Sequence, residues 1–172
     1  ETTDSRRPRS LLATAVFAGA FLLLVELGLR LWGFGNNVLY VEDGLVGYYP
    51  APNQLRRRYG GVVQINNFGM RRPDISVAKP PGTTRILLLG DSTLYGGSYL
   101  NNEELYARRL EVLLNAKHGP GKFEVLNVAA NAWGPYHKVG YVQRFGTFDA
   151  DIAMICMPLG DIMRIGAYGL EE

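Results

Sequence analysis

The sequence predicts an α/β domain that follows a single N-terminal membrane helix, and three observations support this prediction. An almost wholly apolar run at 11–32 is long enough to cross a hydrocarbon core of about 30 Å. A short apolar run at 86–89 stops at a Gly-Asp-Ser turn that ends in Ser92, as a buried parallel strand does at its carboxyl end. Beyond this turn, strand-like and helix-like segments alternate, which is typical of a parallel sheet with right-handed crossovers.

Length and composition are consistent with one globular domain besides the membrane segment. The chain has 172 residues, of which 20% are charged, and a formal net charge of +2, which gives no indication of nucleic-acid binding. We divide it into a cytoplasmic tail (1–10), a transmembrane helix (11–34), a connector (35–81) and an α/β domain (82–172). The single cysteine, Cys156, lies in an apolar run, which predicts a buried side chain and excludes an intramolecular disulfide.

The charges on either side of the apolar segment predict its orientation. The flanking charged residues are Arg6, Arg7 and Arg9 before the segment, and Glu42 and Asp43 after it. The positive-inside rule therefore predicts a cytoplasmic N-terminus in a bacterial inner membrane and a periplasmic globular domain. Trp32 and Phe34 fit an aromatic belt at the membrane surface.

Some features of this segment have alternative explanations. The small residues at 18–20 resemble a signal-peptide cleavage site, although they lie in the middle of the apolar run. The residues at 5–7 are reminiscent of a twin-arginine signal, which Pro8 fits poorly. Glu26 and Arg30 are four residues apart, which predicts an ion pair on one helix face. A contact between Glu26 and another membrane helix is the alternative.

The connector is rich in glycine, proline, asparagine and tyrosine, and only 62–65 has a clear strand pattern. It carries two basic clusters, at 56–58 and 71–72. Such clusters can bind anionic lipid headgroups or an acidic partner, but surface arginines in loops are more often solvated. We therefore interpret both clusters as solvated.

The α/β domain begins with the strand that ends before Ser92. Asn102 is a candidate cap for a helix over 103–117, which Gly119 ends. The remaining elements alternate between strand and helix. They are a strand over 123–128, a helix over 136–145 and a strand over 152–157.

The Gly-Asp-Ser block resembles the nucleophile block of SGNH (GDSL-type) hydrolases. Gly-Tyr-Tyr-Pro at 47–50 and Asn-Asn-Phe-Gly-Met-Arg at 66–71 are similar to a segment that many membrane-anchored proteins of this kind carry ahead of that block. The resemblance extends over most of 40–172. It implies a flavodoxin-like three-layer fold with a small parallel sheet, and it implies that Ser92 is the nucleophile.

In that family a histidine activates the serine, and the oxyanion is held by the serine N–H, a glycine N–H and an asparagine side chain. The resemblance puts Ala132 at the glycine position, where a backbone N–H remains, and Gly160 at the asparagine position, where the side-chain donor is lost. The family's Asp-x-x-His block is missing, so we expect a domain that is incomplete at its C-terminal end. Of the two histidines, His118 and His137, only His137 is a candidate substitute, and we interpret it as an exposed structural residue.

These observations lead to three functional hypotheses. The first is a single-span protein with a non-catalytic domain, which serves as a structural or accessory subunit of a larger membrane complex, for example a photosynthetic or respiratory one. The second is an envelope-facing serine esterase or acyl-transfer enzyme, acting on acylated glycans or lipids, whose histidine lies beyond this chain. The third is a glycan-binding module that uses Trp133, Tyr95 and Tyr99. Loss of the general base costs on the order of 10⁶ in turnover, which favours the first hypothesis. None requires a cofactor or a metal.

Overall fold

The computed structural model of this chain describes residues 7–158. Its first element is the helix α1, Arg7–Leu31. The segment Leu11–Leu31 is long and apolar enough to cross a membrane and is not buried within the protein, although an N-terminal signal sequence passes the same test. Arg30 Nε donates to Glu26 Oε1 at 2.7 Å, which confirms the predicted ion pair. The helix is therefore compatible with membrane anchoring.

The connector folds into two antiparallel hairpins, of which the sequence predicted one strand. The first joins β1, Tyr40–Asp43, to β2, Gly47–Pro50, and the second joins β3, Gln54–Arg58, to β4, Gly61–Ile65. The second hairpin turns through two residues that both have positive φ, Tyr59 and Gly60. That conformation is usually signalled by Asn-Gly, so a Tyr-Gly turn is easily overlooked.

Three parallel strands form the central sheet, which confirms the predicted α/β class. They are β5, Thr84–Gly90, β6, Phe123–Ala129, and β7, Ile152–Ile155. Their order across the sheet is β6-β5-β7, so the first strand lies in the middle. The helices between them are α2, Ser92–Tyr95, α3, Tyr106–His118, and α4, Pro135–Phe145.

The alternation of side chains along β5 divides the core into two layers. Ile86 and Leu88 pack with residues of α2 and α3 on one face of the sheet. Leu87 and Leu89 pack on the other face with residues of the first hairpin and of α4, together with neighbouring loop residues. The buried apolar residues that pack with Leu87 and Leu89 on that second face are Val46, Tyr48, Met70, Leu126, Val128, Ala130, Trp133, Tyr141 and Phe148. Helices therefore cover both faces of the sheet.

The beginning of helix α3 differs from the boundary predicted for it. Helix α3 begins at Tyr106, because Leu105 is buried in an extended conformation and separates the helix from a 3₁₀ turn over Asn102–Glu104. Asn102 does not cap the helix, since its amide donates to Gln64 O of β4 at 2.7 Å. The prediction of a buried Cys156 is also wrong. This thiol is exposed at the end of β7, a strand whose residues are all exposed.

The basic cluster at 71–72 is not solvated, contrary to our interpretation. Arg72 and Arg85 both bind the carboxylate of Glu124, at 2.7 and 2.8 Å. The side chain of Arg85 is only 1% exposed, and that of Glu124 is 16% exposed. Arg85 and Glu124 also lie directly opposite each other in the register of β5 and β6. This buried ion cluster ties the connector to the beginning of both strands.

Candidate functional site

Ser92 lies at the carboxyl edge of the sheet, where the strand order reverses. The chain passes from β5 to β6 on one side and then to β7 on the other side of β5. In open α/β sheets, ligands bind in the crevice outside the carboxyl ends of strands at such a point. Ser92 follows Gly90, the last residue of β5, by two positions, and its side chain is exposed. The structure therefore has Ser92 at the sheet edge that the sequence predicted.

The turn before Ser92 is held by the buried carboxylate of Asp91 and by the close contact between the backbone of Gly90 and the side chain of Leu94. Asp91 is buried, and its Oδ1 accepts a hydrogen bond from Thr93 N at 2.9 Å, which caps α2. A Cβ added to Gly90 would lie 2.5 Å from Leu94 Cβ, so only glycine fits here without a shift. These contacts present Ser92 on the first turn of α2.

An open cleft of about 420 Å³ lies beside Ser92. It is lined by Gly97 and Tyr99 of the following loop and by Tyr106 and Arg109 of α3, among other residues. Tyr99 and Arg109 are exposed. The cleft therefore offers a hydroxyl, an aromatic ring and a positive charge to a ligand.

Arg71 holds the loop that forms this cleft, a role that our sequence analysis missed. Its side chain is buried, and its guanidinium lies 5.2 Å from the centre of the Tyr95 ring. Its N–H groups donate to the backbone oxygens of Tyr95, Gly96, Gly97 and Leu100, at 2.6 to 3.1 Å, and to Asn102 Oδ1 at 3.3 Å. Burial lowers the pKa of Arg71. The segment at 66–71, which we singled out ahead of the nucleophile block, was the only signal that could have indicated this arginine.

Ala132 lies beyond the end of β6, at the same edge of the sheet as Ser92. β6 pairs with β5 so that Ala129 is opposite Gly90, and both chain segments leave the sheet there. Ala132 is exposed and has a φ of +60°, in the left-handed region that favours glycine. The structure therefore has glycine-like backbone geometry at the position where the resemblance implies a glycine.

Replacing Ala132 with glycine is expected to raise the free energy of unfolding by about 0.5 to 1 kcal/mol. Relief of the left-handed strain gains about 1 to 2 kcal/mol, and the greater freedom of glycine in the unfolded chain offsets about half of this. Urea denaturation of the full chain in a mild detergent measures the change. As a control, Ala130→Gly, at a buried position without positive φ, is expected to destabilise the domain. A destabilising effect of Ala132→Gly would contradict the assignment of strain.

His137 is buried, whereas we interpreted it as an exposed residue. Its Nδ1 accepts a hydrogen bond from Gly134 N at 3.1 Å at the beginning of α4. Its ring stacks on Trp133 at 6.1 Å and meets Tyr48 edge-on at 5.1 Å. Trp133 and Tyr48 belong to the core layer on the face opposite α2. His137 is therefore part of the packing around α4.

His118 lies at the other edge of the sheet. It is the last residue of α3, and its ring is 5.3 Å from that of Phe123, the first residue of β6. Because Ser92 follows the carboxyl end of β5, which is parallel to β6, the two residues lie at opposite edges. His118 is therefore remote from Ser92, whereas His137 is buried with its Nδ1 bonded to Gly134 N.

The remaining predicted site residues are Gly160 and the three aromatic residues of the glycan-binding hypothesis. Gly160 lies outside the described residues. Trp133 and Tyr95 are each 1% exposed and belong to the core, so they offer no stacking surface, while Tyr99 is 64% exposed. The expected aromatic platform for a glycan is therefore reduced to one ring.

No protein-family model and no curated protein matches this chain. Within residues 7–158, no group of three or more histidine, cysteine, aspartate or glutamate side chains is placed to hold a metal ion. The chemistry of the site must therefore be inferred from its own residues.

Proposed function

We propose that this chain is a membrane-anchored protein whose periplasmic domain has the flavodoxin-like fold of the SGNH hydrolases. The strand order supports the proposal, because a first strand flanked by the second and third is the beginning of a flavodoxin-like sheet. Ser92 at the reversal point and Ala132 in a glycine-like conformation support it further. The apolar helix α1 supports the anchoring.

We further propose that these 172 residues do not catalyse ester hydrolysis and that the domain serves as a structural or accessory part of a membrane complex. The observation that carries this proposal is the placement of the two histidines, the only ones in the sequence. His137 is held in the core by Gly134 N, and His118 lies at the far edge of the sheet. Without a general base, turnover by a serine hydrolase falls by about 10⁶.

The membrane helix is suited to contact with other helices. Its side chains between 11 and 20 are all exposed within this chain. Small residues, which permit close helix packing, recur there. They are Ala13, Ala15, Ala18, Gly19 and Ala20.

A serine esterase or acyl-transfer activity is the second candidate, and the exposure of Ser92 beside an open cleft favours it. Ser92 Oγ would form a bond to the acyl carbon while its proton passes to a base, and the alcohol would leave with that proton. Water would then release the acid and restore the serine. The N–H groups of Ser92 and Ala132 would hold the oxyanion, and a residue other than His118 and His137 would be the base.

Ester turnover by the full chain in mild detergent separates the two candidates. With p-nitrophenyl acetate and butyrate as probes, we expect equal rates for the wild type and Ser92→Ala, and also for Ser98→Ala, a serine of the following loop. A rate that falls about 100-fold or more in Ser92→Ala alone would overturn the non-catalytic proposal and support the esterase. Native mass spectrometry of protein extracted from its own membrane tests the accessory role, since a chain without a partner would contradict it.

A further inference from the structure

The end of α1 is fastened to the hairpin formed by β3 and β4. Tyr59, in the turn of that hairpin, donates its N–H to Trp32 O at 2.8 Å, and the two rings meet edge-on at 5.2 Å. Gly33 has a φ of +85°, and a Cβ added to it would lie 2.2 Å from Arg57 O. Asn36 Nδ2 also donates to Arg57 O at 3.1 Å. These contacts fix the hairpin beside the helix end.

This attachment places three consecutive arginines, 56–58, at the depth where a membrane helix leaves the bilayer. Trp32 and Phe34 are 56% and 58% exposed at the end of the helix, as in an interfacial aromatic belt. Because Gly33 touches the backbone of Arg57, the hairpin lies at the level of the lipid headgroups when α1 spans the membrane.

The positive charges of these arginines are not neutralised by carboxylates within residues 7–158. Arg56 donates to Gln54 and Asn36, and Arg58 donates to the hydroxyl of Tyr59. These partners are all neutral, and Arg57 is exposed. The nearest acidic group along α1, Glu26, is already paired with Arg30.

We propose that the basic strand at 56–58 binds the phosphate headgroups of anionic phospholipids beside the end of α1, with Arg57 on one face of the hairpin and Arg56 and Arg58 on the other. This inference rests on the membrane anchoring in the proposed function but not on any activity of Ser92. Guanidinium groups bind phosphate oxygens in a bidentate manner, and basic residues close to a membrane concentrate anionic lipids around them. This proposal differs from our interpretation of the cluster at 56–58 as solvated.

Tryptophan fluorescence of the full chain in vesicles tests the proposal. The vesicles contain phosphatidylcholine with a minor fraction of phosphatidylglycerol, and each lipid carries brominated chains in turn. Trp32 reports on nearby lipid, while Trp133, which is 1% exposed in the domain core, is the internal reference. At equal mole fraction, we expect brominated phosphatidylglycerol to quench Trp32 about two- to threefold more than brominated phosphatidylcholine.

The variant Arg56→Gln/Arg57→Gln/Arg58→Gln is expected to lose this preference, and Arg57→Gln alone to lose part of it. The matched control Arg109→Gln/Lys117→Gln/Lys122→Gln removes three exposed charges from the domain and should retain the preference. Equal quenching of the wild type by both lipids would overturn the proposal. A preference that inorganic phosphate weakens more than chloride of equal ionic strength would support the proposal, because free phosphate then competes with the lipid for the same guanidinium groups. Absence of quenching by either lipid would contradict the membrane anchoring itself.

Discussion

Replacing Arg71 with methionine is expected to lower the free energy of unfolding of the domain by about 3 kcal/mol and to loosen the loop after Ser92. The guanidinium is the common partner of four backbone oxygens between Tyr95 and Leu100. Methionine fills much of the same volume but donates no hydrogen bond, so these four backbone oxygens lose their shared partner. Part of the cost is offset because a buried charge no longer has to be desolvated.

Two measurements on the full chain in mild detergent check this expectation. Urea denaturation gives the change in stability, and hydrogen exchange with mass spectrometry gives the protection of residues 96–102. Arg109→Met is the control, because Arg109 is an exposed arginine that lines the same cleft. Arg71→Lys should protect residues 96–102 from exchange little more than Arg71→Met does, since a single ammonium group cannot bind four carbonyl oxygens at once. Unchanged stability and exchange in Arg71→Met would show that the loop is held by other contacts.

The part of the fold that follows from local pattern was predicted correctly. The strands β5 and β6 are mostly apolar, and α4 begins at Pro135 and ends before Gly146, which are ordinary helix boundaries. The hairpins of the connector were mostly missed, because β3 carries three arginines and an exposed Leu55 where a strand pattern requires buried apolar residues. The stability of that hairpin comes from its pairing and from its contact with the end of α1, which no local pattern reveals.

In the candidate site, too, the features set by local sequence could be predicted, whereas those set by contacts with distant parts of the chain could not. The positions of Ser92 and Ala132 could be predicted because parallel neighbouring strands end at the same edge of a sheet. The burial of His137 could not be predicted, because it depends on Tyr48, which comes from a hairpin far away in the sequence. The role of Arg71 depends likewise on a loop that follows it by more than twenty residues.

Replacing Glu124 with alanine is expected to have the largest effect on stability, a loss of about 3 to 5 kcal/mol. Glu124 accepts from Arg72 at 2.7 Å and from Arg85 at 2.8 Å, and Arg85 is almost completely buried. Removal of the carboxylate leaves a buried guanidinium without its counter-charge, and that cost exceeds the net stabilisation contributed by the pair. The carbonyl oxygens of Ser76, Val77 and Phe148 still accept from Arg85, but they supply no negative charge.

Urea denaturation of the full chain measures this loss, with Glu103→Ala as the matched control. Glu103 forms an ion pair with Arg108 at 2.7 Å, but both side chains are largely exposed, so this variant should lose less than about 1 kcal/mol. The loss of stability in Glu124→Gln should lie between those of Glu124→Ala and Glu103→Ala, because glutamine retains an acceptor oxygen but carries no charge. The double variant Arg85→Met/Glu124→Leu should cost less than the sum of Arg85→Met and Glu124→Leu measured singly, since it removes both charges together. Additive losses would show that Arg85 and Glu124 do not stabilise each other, and that the carbonyl partners of Arg85 hold it instead.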